Sequence, residues 1–177
     1  MAYRRGLLIV FTGDGKGKTS AAMGTALRAV GQGFKVLMLQ FIKGSWTYGE
    51  LASAPLLGGA FEIRVMGRGF VKVGTDVLDP EDIRLAEEGW NAAVEAMHSG
   101  KYDILILDEI NNAIDCGLLS LDRVMADLAT RPDKLHIICT GRNASPRLIE
   151  AADLVTEMKA VKHPFDKGVF AQKGIEF

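Results

Sequence analysis

Residues Thr12 to Ser20 read TGDGKGKTS, three glycines and two lysines ahead of a Thr-Ser pair. Backbone N–H groups converge on phosphate oxygens only where no side chain blocks them, which is the use of Gly13, Gly15 and Gly17. Lys18 adds a positive charge and Thr19 a hydroxyl able to reach a magnesium ion, with Asp14, Lys16 and Ser20 completing the cradle. The usual spacing of such a P-loop is G-x-x-x-x-G-K-[ST]. Here Thr12 stands at its first position and Gly13 comes one residue late, so the stretch is a variant. The plain alternative is a glycine-rich turn with no ligand; an apolar run before it and a helical segment after it favour the phosphate reading.

A second acidic feature lies far along the chain. The apolar run Ile104–Leu107 ends in Asp108-Glu109, where a P-loop protein places carboxylates for Mg²⁺. A helix N-cap pair is the alternative use of such residues. Arg142 and Arg28 are each either phosphate-directed or plain surface arginines. Asn112-Ala-Ile-Asp115 lacks the lysine of a guanine-reading motif, which disfavours a GTPase. No cysteine or serine nucleophile stands beside a histidine, and His98 and His136 are single, structural or solvated.

The elements that must position these groups alternate in kind. Leu7–Phe11, Lys35–Phe41, Phe61–Met66, Ile104–Leu107, Leu135–Thr140 and Leu154–Met158 read as strands, with only Phe61–Met66 alternating apolar and polar residues. Thr19 to about Gln32 reads as a helix stopped by Gly31 and Gly33. Asp79-Pro80-Glu81 opens another helix, closed by Gly100, with Trp90 at core spacing. Helices also follow Ser120 and Ser145-Pro146, residues 67–78 form a glycine-rich loop, and the tail from Lys162 resists assignment. The architecture is α/β in three layers: a mainly parallel sheet of about six strands in a RecA-like P-loop fold.

A chain of 177 residues fits a single domain, 1–177, and 48% hydrophobic with 24% charged residues fits a soluble globular protein. A net charge of −1 offers no global field for nucleic acid or anionic membrane. Cys116 and Cys139 form no C-x-x-C pair and are expected as reduced thiols. The apolar run near the N-terminus is too short for a signal peptide or a membrane span, so a cytoplasmic location is expected.

Six fragments then line up in order: TGDGKGKTSAA, QFIKG (Gln40 to Gly44), MGRGF (Met66 to Phe70), LILDE (Leu105 to Glu109), TGR (Thr140 to Arg142) and VKHPFDKGVFAQKGIEF (Val161 to Phe177). This set resembles the P-loop ATP:corrinoid adenosyltransferases, which adenosylate cob(I)yrinic acid a,c-diamide or cob(I)alamin. The resemblance implies that MgATP is attacked at its ribose 5′ carbon by Co(I) of a reduced corrinoid, with the whole triphosphate leaving. Such a nucleophile needs no general base, in keeping with the missing base–nucleophile pair. It further implies Thr19 and Glu109 at the magnesium, with Asp108 adjacent, catalytic roles for Lys18 and Glu109, and Phe70 at the corrinoid face, displacing cobalt's lower ligand. Taken alone, Phe70 reads as a loop residue tucked against the core. Lys72 stands where some members carry a second aromatic. The implied partners are ATP, the corrinoid, a flavoprotein reductant and a second copy of the chain. The alternative from another class is a RecA-like switch or assembly ATPase, and a third is a small-molecule kinase; released triphosphate, phosphate or a phosphorylated acceptor separates them.

Overall fold

A computed structural model describes residues 5–44, 48–69 and 78–176. Six strands, β1 (Leu8–Thr12), β2 (Val36–Gln40), β3 (Phe61–Val65), β4 (Ile104–Asp108), β5 (His136–Thr140) and β6 (Leu154–Glu157), form one sheet in the order β3-β2-β4-β5-β1-β6. Every pairing is parallel, so the carboxyl ends of all strands share one edge. The helices are α1 (Lys18–Val30), α2 (Gly49–Ser53), α3 (Pro80–His98), α4 (Ile110–Asp115), α5 (Leu121–Ala129) and α6 (Pro146–Ala151), with 3₁₀ turns at Ala54–Leu57 and Pro164–Lys167.

Alternation along the strands divides the core between two faces. Val36, Met38, Ile104, Ile106 and Ile138 meet Ala22, Ala26 and Ala29 of α1, whose small side chains let the helix lie close to the sheet. Leu37, Leu39, Leu105, Leu107, Ile137 and Cys139 meet Trp90, Ala93 and Met97 of α3, Val124 and Leu128 of α5, and Leu148 of α6. This is the expected three-layer arrangement. β2 and β4 are buried along their whole length because both faces are covered. β3 alternates because it is an edge strand, and β6, the other edge, is exposed throughout.

Local chemistry sets the ends. Asp79 accepts from the Glu81 N–H at 2.9 Å to start α3, with Pro80 at its first position. The left-handed stop after α1 belongs to Gly33, at φ 81°, while Gly31 stays right-handed. Trp90 is fully buried, and its Nε1 donates to Asp127 Oδ2 at 2.7 Å, so it joins α3 to α5. Burial pushes the Cys139 thiol up to about 12, as for an inert core residue. Among the described residues no helix is long and apolar enough to cross a membrane.

Four short elements go beyond the sequence reading: α2, α4 and the two 3₁₀ turns, at Ala54–Leu57 and in the tail at Pro164–Lys167. In the tail turn His163 Nδ1 accepts from the Phe165 N–H at 3.1 Å and Asp166 Oδ2 from the His163 N–H at 3.3 Å. A reciprocal cap of this kind gives His163 a structural role.

Candidate functional site

β1 delivers the glycine-rich loop to α1. Gly17 caps that helix at φ 110°, and Gly13 turns the chain at φ 93°. The Gly15 N–H donates to the Met158 carbonyl at 2.6 Å, so the chain leaving β6 braces the loop from below. Lys18 Nζ donates to the carbonyls of Gly13 at 2.6 Å and Gly15 at 2.8 Å, a closed ring around the cradle. Burial and then the charge of Arg142 lower the Lys18 pKa, against the pull of Asp14, Glu109 and Asp108.

The acid at the end of β4 reaches this loop. Thr19 Oγ1 donates to Asp108 Oδ1 at 2.9 Å, and Thr140 Oγ1, from the end of β5, donates to the same oxygen at 2.7 Å. Asp108 is fully buried, and burial raises its pKa although Lys43 and the two hydroxyls pull it down. Glu109 follows at φ 62°, left-handed for a residue with a side chain. Such strain gathers at functional sites. It occupies the N-cap position of α4 but makes no side-chain cap bond, so the capping alternative fails for its carboxylate. Burial, then the neighbouring Asp108, raise its pKa, while Lys43, Lys18 and Arg142 oppose the rise.

A second layer stands behind the acids. Gln40 ends β2 directly beside Asp108. Its Nε2 donates to Glu50 Oε1 at 3.2 Å and faces Asp108 Oδ2 at 3.5 Å. Lys43 Nζ donates to Glu50 at 2.6 Å and lies 3.7 Å from Asp108 Oδ2. Burial works against the Lys43 charge, but Asp108 and Glu50 outweigh it and its pKa rises. For Glu50 burial is likewise overcome, by the Lys43 hydrogen bond, and its pKa falls. α2, only five residues long, delivers Glu50 to this cluster. The turns after β2 and β3 meet backbone to backbone: a Cβ on Gly44 would stand 2.3 Å from the Arg68 carbonyl, and one on Gly67 would stand 2.5 Å from that of Phe41. The glycines of QFIKG and MGRGF thus let two loops share the ligand edge.

The structure therefore gathers Gly13, Gly15, Gly17, Lys18, Thr19, Asp108 and Glu109. Asp14 and Arg142 face each other across the loop, Arg142 Nε 3.9 Å from Asp14 Oδ1, both exposed. Lys16 pairs with Glu176 of the tail at 3.3 Å. Ser20 is exposed in the first turn of α1. Arg28 lies in the last turn of α1, about 15 Å along the axis from Lys18, and is exposed; the structure does not bring it to the loop. Phe70 and Lys72 lie outside the described residues.

Six participants carry no assigned role in the sequence reading of the site: Gln40, Lys43, Glu50, Asn111, Asn112 and Thr140. Asn112 Oδ1 accepts from the Arg142 N–H at 3.0 Å, and Asn111 Nδ2 donates to the Gly141 carbonyl at 3.1 Å, fixing the turn that carries Arg142. For Thr140 and Gln40 a signal existed: each is the one polar residue closing an apolar strand on the ligand edge. Glu50 carried none.

The donors suit a hard cation. A threonine hydroxyl and carboxylates converge where the glycine loop would leave phosphate oxygens, and the set contains neither sulfur nor imidazole, as Mg²⁺ requires. A buried acceptor beside them, Gln40 Oε1, has no partner among the described residues. Thr19, Asp108 and Glu109 are the side chains that would hold the ion.

Comparison with known proteins gives a consistent answer. The family model described as "ATP:corrinoid adenosyltransferase BtuR/CobO/CobP" matches residues 4–177. A corrinoid adenosyltransferase of Pseudomonas aeruginosa is 46% identical over 173 residues, 98% of this chain and 84% of that protein. One from Escherichia coli is 42% identical, covering 98% and 86%. Corrinoid adenosyltransferase CobA of Salmonella typhimurium is 40% identical with the same coverage. Among solved structures, the flagellar accessory protein FlaH of Methanocaldococcus jannaschii aligns with a TM-score of 0.59 at 17% identity, over 87% of this chain and 71% of that one. The RadB recombinase aligns at 0.56 and 14%, over 92% and 78%. These two likenesses bear out the RecA-like P-loop fold.

Proposed function

Because the chain belongs to the ATP:corrinoid adenosyltransferase family, and so is an ATP-dependent transferase with ATP and a corrinoid as substrates, we propose that it joins the 5′ carbon of ATP to Co(I). The cobalt electron pair forms the Co–C bond, the C5′–O5′ bond breaks, and its electron pair leaves on the triphosphate. The observation that carries this reading is the hydrogen bond from Thr19 to Asp108. It couples the glycine loop to the acidic end of β4 and creates one place for a triphosphate and its counter-ion.

The roles follow from charge and position. Gly13 to Ser20 bind the triphosphate through the first turn of α1 and the loop's backbone N–H groups, except that of Gly15, which is spent on the Met158 carbonyl. Lys18, held over the loop by two carbonyls, exchanges them for phosphate oxygens and stabilises the negative charge that grows on the leaving group. Mg²⁺, when bound by Thr19, Asp108 and Glu109, supplies further charge neutralisation there. Arg142 sits at the mouth of the loop, able to close on the same anion. The protein's remaining task is alignment, with Co(I) about 3 Å from C5′ and in line with the bond that breaks. We propose that Phe70 acts on the opposite, lower face of the corrinoid, where it displaces cobalt's lower ligand. A reductant must supply Co(I), for which we propose a flavoprotein. We also propose a homodimer, in the cytoplasm; the exposed edge strand β6 and the exposed Phe165, Phe170 and Ile175 of the tail offer apolar surface to a second copy, and light scattering tests that state.

The experiment combines protein, MgATP, corrinoid and a strong chemical reductant, and follows the corrinoid spectrum together with the phosphorus products. Adenosylated corrinoid and triphosphate in equal amounts are expected. Phosphate release without any corrinoid would instead indicate a switch ATPase, and intact ATP binding with no adenosylated product would refute the proposal.

A further inference from the structure

Gln40 is fully buried at the carboxyl end of β2, in register with Asp108. Its Nε2 faces two carboxylates, Glu50 at 3.2 Å and Asp108 Oδ2 at 3.5 Å. Turning the amide over would press its carbonyl oxygen against both, so the network fixes which atom is which. Oε1 is then, with Asn111 Oδ1, one of two buried acceptors without a partner among the described residues. Such an atom is expected to find a donor, and a protein retains it when that donor arrives with a ligand.

We propose that Gln40 is a positioning residue for the metal: Oε1 accepts a hydrogen bond from a water carried by the magnesium of MgATP, while Nε2 orients Asp108. This rests on the reading that Thr19, Asp108 and Glu109 receive that ion. Three features point to water as the donor. Mg²⁺ keeps several waters when bound by few carboxylates. A water on a dication is a strong donor, whereas the cation nearest at hand, Lys43, is already committed to Glu50 at 2.6 Å. The other oxygen of Asp108 accepts from Thr19 and Thr140, so the carboxylate that Gln40 touches also touches the loop. Glu50 completes the device: anchored by Lys43, it holds the amide in the one orientation that leaves Oε1 unpaired among the described residues. A glutamate at position 40 would add a third negative charge beside Glu50 and Asp108 and offer no N–H to either. Glutamine serves both sides.

The test measures metal binding, with Mn²⁺ as a spectroscopic substitute and no corrinoid present. Free Mn²⁺ is followed by electron paramagnetic resonance during titration of protein with ATP, and ATP binding in excess chelator is measured by calorimetry. Gln40→Leu should weaken Mn²⁺ binding to the ATP complex by about 10–100-fold, as loss of an outer-sphere partner does. It should leave chelator-phase ATP affinity unchanged. Gln40→Met, closer in shape, should repeat the split if the leucine variant fails to fold. Unchanged Mn²⁺ affinity in a folded variant, or equal losses with and without metal, would overturn the proposal. Failure of the metal site itself shows differently: wild-type protein would bind ATP equally with and without Mn²⁺.

Discussion

Thr140→Val removes one hydroxyl and keeps the side-chain shape, which isolates the link between β4 and β5. That hydroxyl donates to Asp108 Oδ1 at 2.7 Å and accepts from the Glu109 N–H at 2.9 Å. Loss of a hydrogen bond to a carboxylate costs about 1.5–3 kcal/mol, and a stranded N–H about 1–3 kcal/mol. Because the two groups share one site and relax together, the combined loss should fall near 3 kcal/mol rather than at the full sum. For a chain of this length about 1 kcal/mol shifts Tm by 2–4 °C, so a drop of roughly 6–12 °C is expected. The assay is thermal unfolding in chelator without nucleotide, which removes any contribution from bound ligand. Thr140→Ser keeps the hydroxyl and should recover most of the loss. If the valine variant melts within about 1 °C of wild type, or if serine melts as low as valine, Thr140 is not the tie between the acid pair and the sheet.

Lys18→Ala should weaken ATP binding by about 10–100-fold, the value of one charge-assisted bond, and Glu109→Ala should reduce turnover and the Mg²⁺ dependence of ATP binding; calorimetry and steady-state kinetics check both. Phe70→Ala should impair activity starting from Co(II) far more than from chemically reduced Co(I), and equal losses would remove Phe70 from the cobalt ligand. For Asp79, the Glu81 N–H and then the Arg68 hydrogen bond hold the carboxyl below its usual range. A depressed folded pKa means that its stabilisation of α3 is present above the unfolded value, about 3.9, and is lost as pH falls through the folded one. Asp79→Asn, which still caps, should lose less stability on acidification than wild type in urea melts across that window.

Where one face of a residue pattern decides the outcome, the sequence carried it. β2 and β4 are apolar up to their last residue because both their faces are covered, and Asp79-Pro80 marks α3 through groups adjacent in the chain. The site was legible in part for the same reason: Gly13 to Thr19 is contiguous, and Asp108 closes an apolar run. What stayed hidden depends on partners distant in sequence. Thr140 acts because β5 lies between β1 and β4 in the sheet, and no local pattern states that order. Glu50 matters because Lys43 and Gln40 turn toward it, while its helix, Gly49–Ser53, is too short to leave a periodic signal. Arg28 shows the converse. Its nearness to the loop in sequence suggested a phosphate contact, and ten residues of helix carry it away.

The late first glycine also acquires a cause. Thr12 is the last residue of β1, paired in register with Glu157 of β6, and its carbonyl accepts from the Met158 N–H at 2.8 Å. Its hydroxyl accepts from the Ala144 N–H at 3.2 Å. The strand thus runs one residue further than the common motif implies, and the loop starts at Gly13, where a Cβ would stand 2.5 Å from the Met158 carbonyl. The shift belongs to the strand's length and not to a damaged cradle. Thr12→Gly, which restores the common spacing, should accordingly bring no gain. It should lose about 2 kcal/mol, from the flexibility of glycine in a strand and the abandoned Ala144 N–H, and leave ATP affinity equal or weaker. A variant that bound ATP more tightly with undiminished stability would show that Thr12 impairs the loop, and that the extra strand residue is incidental to how this chain holds its nucleotide.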